Sequence, residues 1–321
     1  MINVAIAGAG FMGRTHFERY LNNPDCKVVY VYDSLIDRAK EFEDVIATDN
    51  FDTILSSNID VVDICLPTFQ HMPYCVRSAE AKKHVFCEKP MAMTLDECEL
   101  MINTCRDNDV KLMIAHVIRF WPDYRYIRDS VKDSRYGKLH YIRSGRRQPL
   151  PAWPAGNWMA DPKLSNGGVV DFQIHDIDFM ISLFGMPNSI KSVGTKSQYG
   201  GWEQITTVMN HDTAVSCTEA CNLMPVGYPF TATFCAVFEN ASVEFDCRLD
   251  KSLVVYKPGE DPFYPKLDSP DGYQNEIDYF ISCVRDDVDI NDATGEQGAM
   301  ALEVALLAKD SLERGCEVVI D

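Results

Sequence analysis

Ile2-Asn3-Val4-Ala5-Ile6-Ala7-Gly8-Ala9-Gly10-Phe11-Met12-Gly13-Arg14-Thr15-His16 opens the chain with an apolar run, three spaced glycines and the start of an amphipathic stretch. That order reads as strand, turn and helix, the context in which G-x-G-x-x-G carries meaning. Gly8 permits a tight turn, Gly10 lets a diphosphate approach the backbone, and Gly13 lets the helix pack close to the strand. The helix start then faces an anion with unpaired N–H groups and a favourable dipole.

From this loop outward to about residue 116, short apolar runs alternate with helical stretches, the pattern of parallel strands with crossover helices. The expected strands are Asn3 to Ala7, Lys27 to Tyr32, Val61 to Leu66, His84 to Cys87 and Lys111 to His116. Several are apolar nearly throughout, as strands covered on both faces should be. A helix is expected over Thr94 to Asn108, with Thr94 and Glu97 in capping-box spacing. The alternation stops after Arg119-Phe120-Trp121-Pro122. Ser189 to Leu249 then reads as successive β-rich runs, including Thr206 to Asn210, Ala214 to Cys221, Thr231 to Phe238 and Ser242 to Phe245. Helices near Tyr273 to Arg285 and Glu296 to Arg314 and a strand at Glu317 to Ile320 follow. The expected architecture is α/β: a doubly wound parallel sheet in residues 1–120, and an α+β domain with a large, mostly antiparallel open sheet in 121–321, whose last helix and strand could pack back near the first domain.

Composition narrows the partners. The 321 residues are 46% hydrophobic and 24% charged, enough to bury a large core. A net charge of −18 should repel phosphate backbones and anionic membranes, so neither nucleic acid nor a membrane is an expected partner. The twelve cysteines are scattered through apolar runs such as Val62-Asp63-Ile64-Cys65-Leu66, where cysteine behaves as a small buried hydrophobe. Their scatter and the lack of a secretory pattern at Met1 imply a reducing cytoplasm, and their spacing gives no zinc site.

Asp33 ends the second strand twenty residues after Gly13, where a carboxylate can accept both ribose hydroxyls of an adenosine. A 2′-phosphate there would meet like charge, which favours NAD over NADP, although Arg38 lies close in sequence. The cofactor-binding set expected on this basis includes Gly8, Gly10, Phe11, Met12, Gly13, Asp33 and Ser34. A second contact region is Cys65-Leu66-Pro67-Thr68 with His71, at the carboxyl end of another strand, where Thr68 or His71 could equally be a helix cap.

Glu88-Lys89-Pro90 ends a third strand, so Lys89 should emerge at the same sheet edge. A lysine beside an oxidised nicotinamide would have its pKa lowered and could exchange a proton with a hydroxyl. Asp171 and His175 lie four apart in a stretch expected to be helical, so both should project from one face, the carboxylate orienting the imidazole. Alternatively the pair only stabilises the helix, or joins Asp178 as metal ligands; no metal is expected, since one histidine is involved. On the substrate side, Arg143 to Trp153 should connect the two domains, followed by Trp158. Tryptophan faces stack on sugar rings and arginine forks hold carboxylates or phosphates. Trp153 and Trp158 are therefore substrate candidates unless they only pin a Pro-rich loop to the core, as is Arg147, an acidic sugar or sugar nucleotide fitting if Arg146 or Arg147 points inward; Arg119 and Tyr273 are weaker candidates.

Together the Gly8 to Gly13 loop, Pro67-Thr68 with His71, Glu88-Lys89-Pro90, Arg119-Phe120, Gly168 with Asp171 and His175, and the ending Ala301 to Ile320 resemble the Gfo/Idh/MocA oxidoreductase family. The resemblance implies a Rossmann domain followed by a domain whose open sheet is buried in homodimers or homotetramers. It implies that Lys89, Asp171 and His175 line the nicotinamide pocket, with Glu88, Lys89 and Arg119 near the cofactor. By similarity His175 would take an alcohol proton, Asp171 would support it, and Lys89 would polarise the same oxygen; which of Lys89 and His175 is the formal base stays open. Phe172 stands where some cyclitol enzymes carry a smaller or polar residue, which argues against inositol itself. The activity implied is NAD-dependent hydride transfer at a secondary hydroxyl of a sugar, cyclitol or glycoside. The alternatives are redox-assisted elimination that cleaves a glycoside, and a non-catalytic NAD and sugar sensor.

Overall fold

The opening apolar run forms β1 (Ile2–Ala7), central in a six-stranded sheet. The computed structural model describes residues 1–151, 158–159, 161–267 and 271–320. After β1 come α1 (Phe11–Tyr20), β2 (Cys26–Tyr32), α2 (Ile36–Ala39), β3 (Ile46–Thr48), α3 (Phe51–Leu55) and β4 (Val61–Ile64). A short 3-10 turn, Thr68–Gln70, leads into α4 (His71–Glu80), β5 (His84–Glu88), α5 (Leu95–Asp107) and β6 (Leu112–Ala115). The order β3-β2-β1-β4-β5-β6 is parallel throughout. β1 and β4 are neighbours although β2 and β3 intervene in sequence, so the carboxyl ends of these two strands flank the point where the winding reverses. α5 begins as its spacing predicts: the Thr94 side chain accepts the Glu97 N–H, and Glu97 reaches back to the Met93 N–H.

The rest of the chain forms α6 (Pro122–Lys132), β7 (Leu139–Arg147), α7 (Pro162–Ser165), α8 (Gly168–Asp171), α9 (Ile174–Phe184), β8 (Ser189–Lys196), β9 (Trp202–Asn210) and β10 (Val215–Cys221). β11 (Thr231–Phe238), β12 (Ser242–Asp246), β13 (Leu253–Tyr256), α10 (Gly272–Arg285), α11 (Gly295–Arg314) and β14 (Val318–Val319) complete it. The eight-stranded sheet runs β13-β12-β11-β7-β10-β9-β8-β14. It is antiparallel except for the β7–β10 pair. Arg143 to Arg147, read from sequence as an inter-domain connection, lies in its central strand β7. Its charge disguised it: Arg146 points inward and is tolerated there because Asp176 pairs with it.

Two compact units divide the chain: Met1–Phe120 with Pro270–Ala299, and Trp121–Ser269 with Met300–Asp321. The boundary expected after residue 120 is thus followed by two further crossings of the chain, after 269 and after 299. The reason is packing. Ile277, Phe280, Ile281 and Val284 of α10 are buried in one cluster with Val4, Ile6, Phe86 and Met113, and the Phe86 and Phe280 rings stack at 5.1 Å. In the second unit, Tyr124, Phe179, Phe234 and Phe245 from α6, α9, β11 and β12 meet edge-on or stacked.

Candidate active site

In the first unit, Gly8 takes φ +113°, and a Cβ there would lie 2.5 Å from the Cys65 carbonyl oxygen. A Cβ at Gly13 would lie 1.9 Å from the Gly8 oxygen, so α1 can start this close to β1 only with glycine. Gly10 differs: no described residue lies within 4 Å of the space a Cβ would fill. Protein packing therefore does not demand glycine at the N-cap of α1, whereas a diphosphate approaching the backbone does. Asp33 is buried; its Oδ2 accepts the Ala9 N–H at 3.0 Å and its Oδ1 the Leu35 N–H at 2.9 Å. Each oxygen keeps a second lone pair, the acceptors that two ribose hydroxyls need. Phe11 and Ser34 are exposed and Met12 is half-buried. These residues fit NAD.

Cys65, Leu66 and Pro67 follow β4, half-buried, and Thr68 opens the 3-10 turn. His71 is buried with Nδ1 2.9 Å from the Pro90 oxygen and Nε2 2.7 Å from the Leu66 oxygen. Burial lowers its pKa. His71 thus turns both nitrogens to carbonyls of the turns after β4 and β5, a neutral ring donating to one of them at a time, rather than presenting a nitrogen to solvent. Lys89 is half-buried on the latter turn.

Beneath that turn lies a buried polar cluster that sequence reading missed. His16 Nδ1 is 2.9 Å from Asp63 Oδ2, and its Nε2 is 3.3 Å from Glu88 Oε1; the other Glu88 oxygen accepts the Lys89 N–H at 3.0 Å. The imidazole stacks on Phe86. Burial opposes a charge on His16, yet Cys65 and Asp63 hold its pKa well above the ordinary value. The Cys65 thiol is itself pushed up by burial and stays protonated, so the Asp63 carboxylate is the charge that decides. Burial would raise the Glu88 pKa, but His16 and Lys89 bring it below the usual value. Glu276 of α10 is buried nearby, neither oxygen having a hydrogen-bond partner among the described residues, and burial pushes its pKa well up. Asp63 within Val61-Val62-Asp63-Ile64, a carboxylate amid apolar residues of a covered strand, was the signal available in the sequence.

In the second unit, Asp171 closes α8 and His175 is the second residue of α9, with Phe172 and Gln173 between the two helices. The single helix expected over both is therefore two. The buried Gln173 side chain bonds to the Thr218 oxygen and hydroxyl at 3.1 and 3.0 Å, pinning this junction to β10. Asp171 is buried, His175 half-buried, and Phe172 lies under the Arg146 guanidinium at 5.8 Å.

Other sequence candidates lie elsewhere. Arg119 is buried in the first unit, bonded through Nη1 to Asp292 at 2.9 Å and Gln297 at 2.6 Å, a structural tether for the returning segment. Arg147 bonds Glu219 at 2.9 Å. Strand alternation puts that pair on the sheet face opposite Arg146 and Asp176, away from α9. Tyr273 belongs to the first unit, its ring 6.3 Å from His16. Trp158 is half-buried, and Trp153 lies outside the described residues.

A parallel sheet with this glycine loop and acidic strand end defines a dinucleotide-binding α/β protein. The chain belongs to the Gfo/Idh/MocA oxidoreductase family: residues 2–116 match the model of the oxidoreductase family with NAD-binding Rossmann fold, and residues 124–244 that of the GFO/IDH/MocA C-terminal domain. It is 26% identical to myo-inositol 2-dehydrogenase of Thermotoga maritima over 100% of this chain and 99% of that protein. It is 29% identical to 2,7-anhydro-N-acetylneuraminate hydratase of Escherichia coli over 63% of this chain and 55% of that one. The first two curated relatives are matched over only 54% and 55% of their own length. Among solved structures, GenD2 from gentamicin A biosynthesis in complex with NAD superposes with a TM-score of 0.86 at 17% identity, covering 100% of this chain and 96% of that one, a likeness of fold. No described helix is long and apolar enough to cross a membrane.

Proposed function

We propose that this chain is an NAD-dependent oxidoreductase that moves a hydride between a secondary hydroxyl of a sugar, cyclitol or glycoside and the nicotinamide. The observation that carries the reading is the Gly8 to Gly13 loop, with no described residue against a Cβ at Gly10 and Asp33 bound to the Ala9 N–H. NAD, when bound, supplies the two-electron acceptor. Gly10 and the start of α1 hold its diphosphate, and Asp33 its adenosine ribose, with NADP disfavoured by the same carboxylate. For the proton, His175 accepts it from the substrate hydroxyl with Asp171 orienting the imidazole, and Lys89 is the cation proposed to bind a substrate oxygen.

A panel of cyclitols, hexoses, glycosides and sugar nucleotides, followed by absorbance with NAD and then NADP, tests the reading. Lys89→Ala and His175→Ala should each lower kcat by about 10²-fold or more while NAD still binds. Normal turnover in His175→Ala overturns the assigned chemistry. The likeness to a hydratase supports a second reading, in which transient oxidation acidifies a neighbouring C–H and permits elimination. Product release without accumulating NADH separates the two.

The sheet face bearing Tyr141, Arg143, Val208, Cys217, Glu219 and Val237 is only partly buried in the chain alone. This supports assembly as a homodimer or homotetramer, and a monomeric mass by light scattering would refute it.

A further inference from the structure

Asn166 and Gly167 take φ +60° and +81° and bring the chain to Gly168, the first residue of α8. The carboxyl group of Glu203, second residue of β9 and 2% exposed, lies against this turn. It accepts a backbone hydrogen bond from Gly168 and one from the Asn222 side-chain amide at 2.9 Å. A Cβ at Gly168 would fall 2.7 Å from Glu203 Oε2, and a Cβ at Gly201 2.7 Å from Oε1, so glycines line both sides of this carboxyl. Asn222 extends the link to Gln148 at 3.4 Å, and its backbone N–H donates to the Glu203 main-chain carbonyl oxygen at 2.8 Å. α8 is four residues long and ends in Asp171, leaving little helix of its own to fix that side chain.

We propose that Glu203 is a positioning residue of the candidate active site: clasped between the Gly168 N–H and the Asn222 amide, its carboxylate holds α8, and through it Asp171 and the start of α9 with His175, in working geometry. The inference rests on the functional reading above. Charge on Glu203 strengthens both bonds, since an ionised acceptor binds N–H groups more tightly than a neutral one. Burial raises its pKa to about 7, with the bond from Asn222 opposing, the charge on Asp171 adding, and the bond from Gly168 opposing. The groups facing it are Asp171 from α8 and Asn222 beyond β10; on β8, Lys196 lies 4.8 Å over the ring of Trp202, the residue preceding Glu203. The clasp therefore loosens as the pH falls through this range and tightens as it rises.

The test uses the full chain with saturating NAD, following tryptophan fluorescence from about pH 5.5 to about pH 9, across the ordinary histidine range. The wild type should show a step near pH 7 reported by Trp202. Glu203→Gln should abolish it, and Asn222→Ala should move it to higher pH because a bond favouring the ionised form is lost. With the best substrate of the panel, Glu203→Gln should lower kcat about 10-fold or more, the scale of a small misplacement, with the Kd for NAD unchanged. A step that persists in Glu203→Gln overturns the proposal, as does a kcat unchanged, or lowered by the same factor at every pH. Should Glu203→Gln fail to fold, Asn222→Ala decides: an unmoved step overturns it. If the steps behave as expected while His175→Ala turns over normally, the functional reading has failed and the titrating clasp on α8 stands.

Discussion

Asp33 Oδ2 accepts the Ala9 N–H at 3.0 Å, so the carboxylate that ends β2 is bonded directly into the glycine loop that follows β1. The same group that is proposed to bind ribose also fixes the loop proposed to bind diphosphate. Asp33→Asn keeps the size and removes the charge. The expected outcome is an NAD affinity lowered about 10-fold, the equivalent of one charged hydrogen bond, and a raised NADP-to-NAD affinity ratio. Calorimetric titration with both dinucleotides checks it; an unchanged ratio contradicts the role given to Asp33.

Gly10 and Gly13 should part company on substitution. Gly13→Ala forces a Cβ onto the Gly8 oxygen and should destabilise the chain by about 1–3 kcal/mol, as overpacking does, with NAD binding lost as well. Gly10→Ala meets open space, so the melting temperature should hold while NAD affinity falls. Thermal melts beside binding titrations distinguish them, and full affinity in Gly10→Ala would leave that glycine without a ligand.

Glu276 predicts a pH dependence of stability. Its folded pKa is raised by burial, so the unfolded chain gives up this proton at lower pH than the native one. Stability is therefore greatest below the ordinary carboxylate value and declines as the pH climbs toward the folded pKa. Glu276→Gln removes the titration and should stabilise the protein at about pH 8 by roughly 1–3 kcal/mol relative to its effect at about pH 5, the usual cost of an uncompensated buried group. His16 and Glu88 run differently. The raised His16 pKa contributes stability that is lost only as the pH rises through its folded value, and the lowered Glu88 pKa contributes stability lost as the pH falls through its own. Urea denaturation at both pH values checks the Glu276 variant, and equal effects at the two would contradict a buried titrating carboxyl.

The neighbours Arg146 and Arg147 should differ sharply. Arg146→Ala leaves the fully buried Asp176 without its two-pronged partner, bonded at 2.5 and 3.2 Å, and should cost about 3–5 kcal/mol. Arg147→Ala opens a half-exposed pair with Glu219 and should cost under about 1 kcal/mol, with kcat unaltered. A large loss of kcat in Arg147→Ala would return that residue to the substrate list.

Much of the first unit was legible because the information is local. The strand-turn-helix spacing of residues 2–16 and the capping pair Thr94 and Glu97 act within a few residues of themselves. β3 escaped notice, being an edge strand of three residues, and β7 escaped because three arginines obscure its alternation. The Asp171 and His175 spacing pointed to a helix, but the turn at Phe172 and Gln173 depends on Gln173 reaching Thr218, a contact forty-five positions away.

Residue order alone decided the turn after β1, the acid at the end of β2 and the succession of crossover helices, since each follows from backbone sterics and short-range periodicity. Tertiary packing decided which core α10 would join, whether Arg146 or Arg147 would turn toward α9, and that His16, Asp63, Glu88 and Glu276 would share one buried neighbourhood. Those outcomes hinge on pairing energies between segments far apart in the chain. Burial then sets the charge states, because a carboxyl or imidazole changes its proton affinity only once water has been replaced by named neighbours.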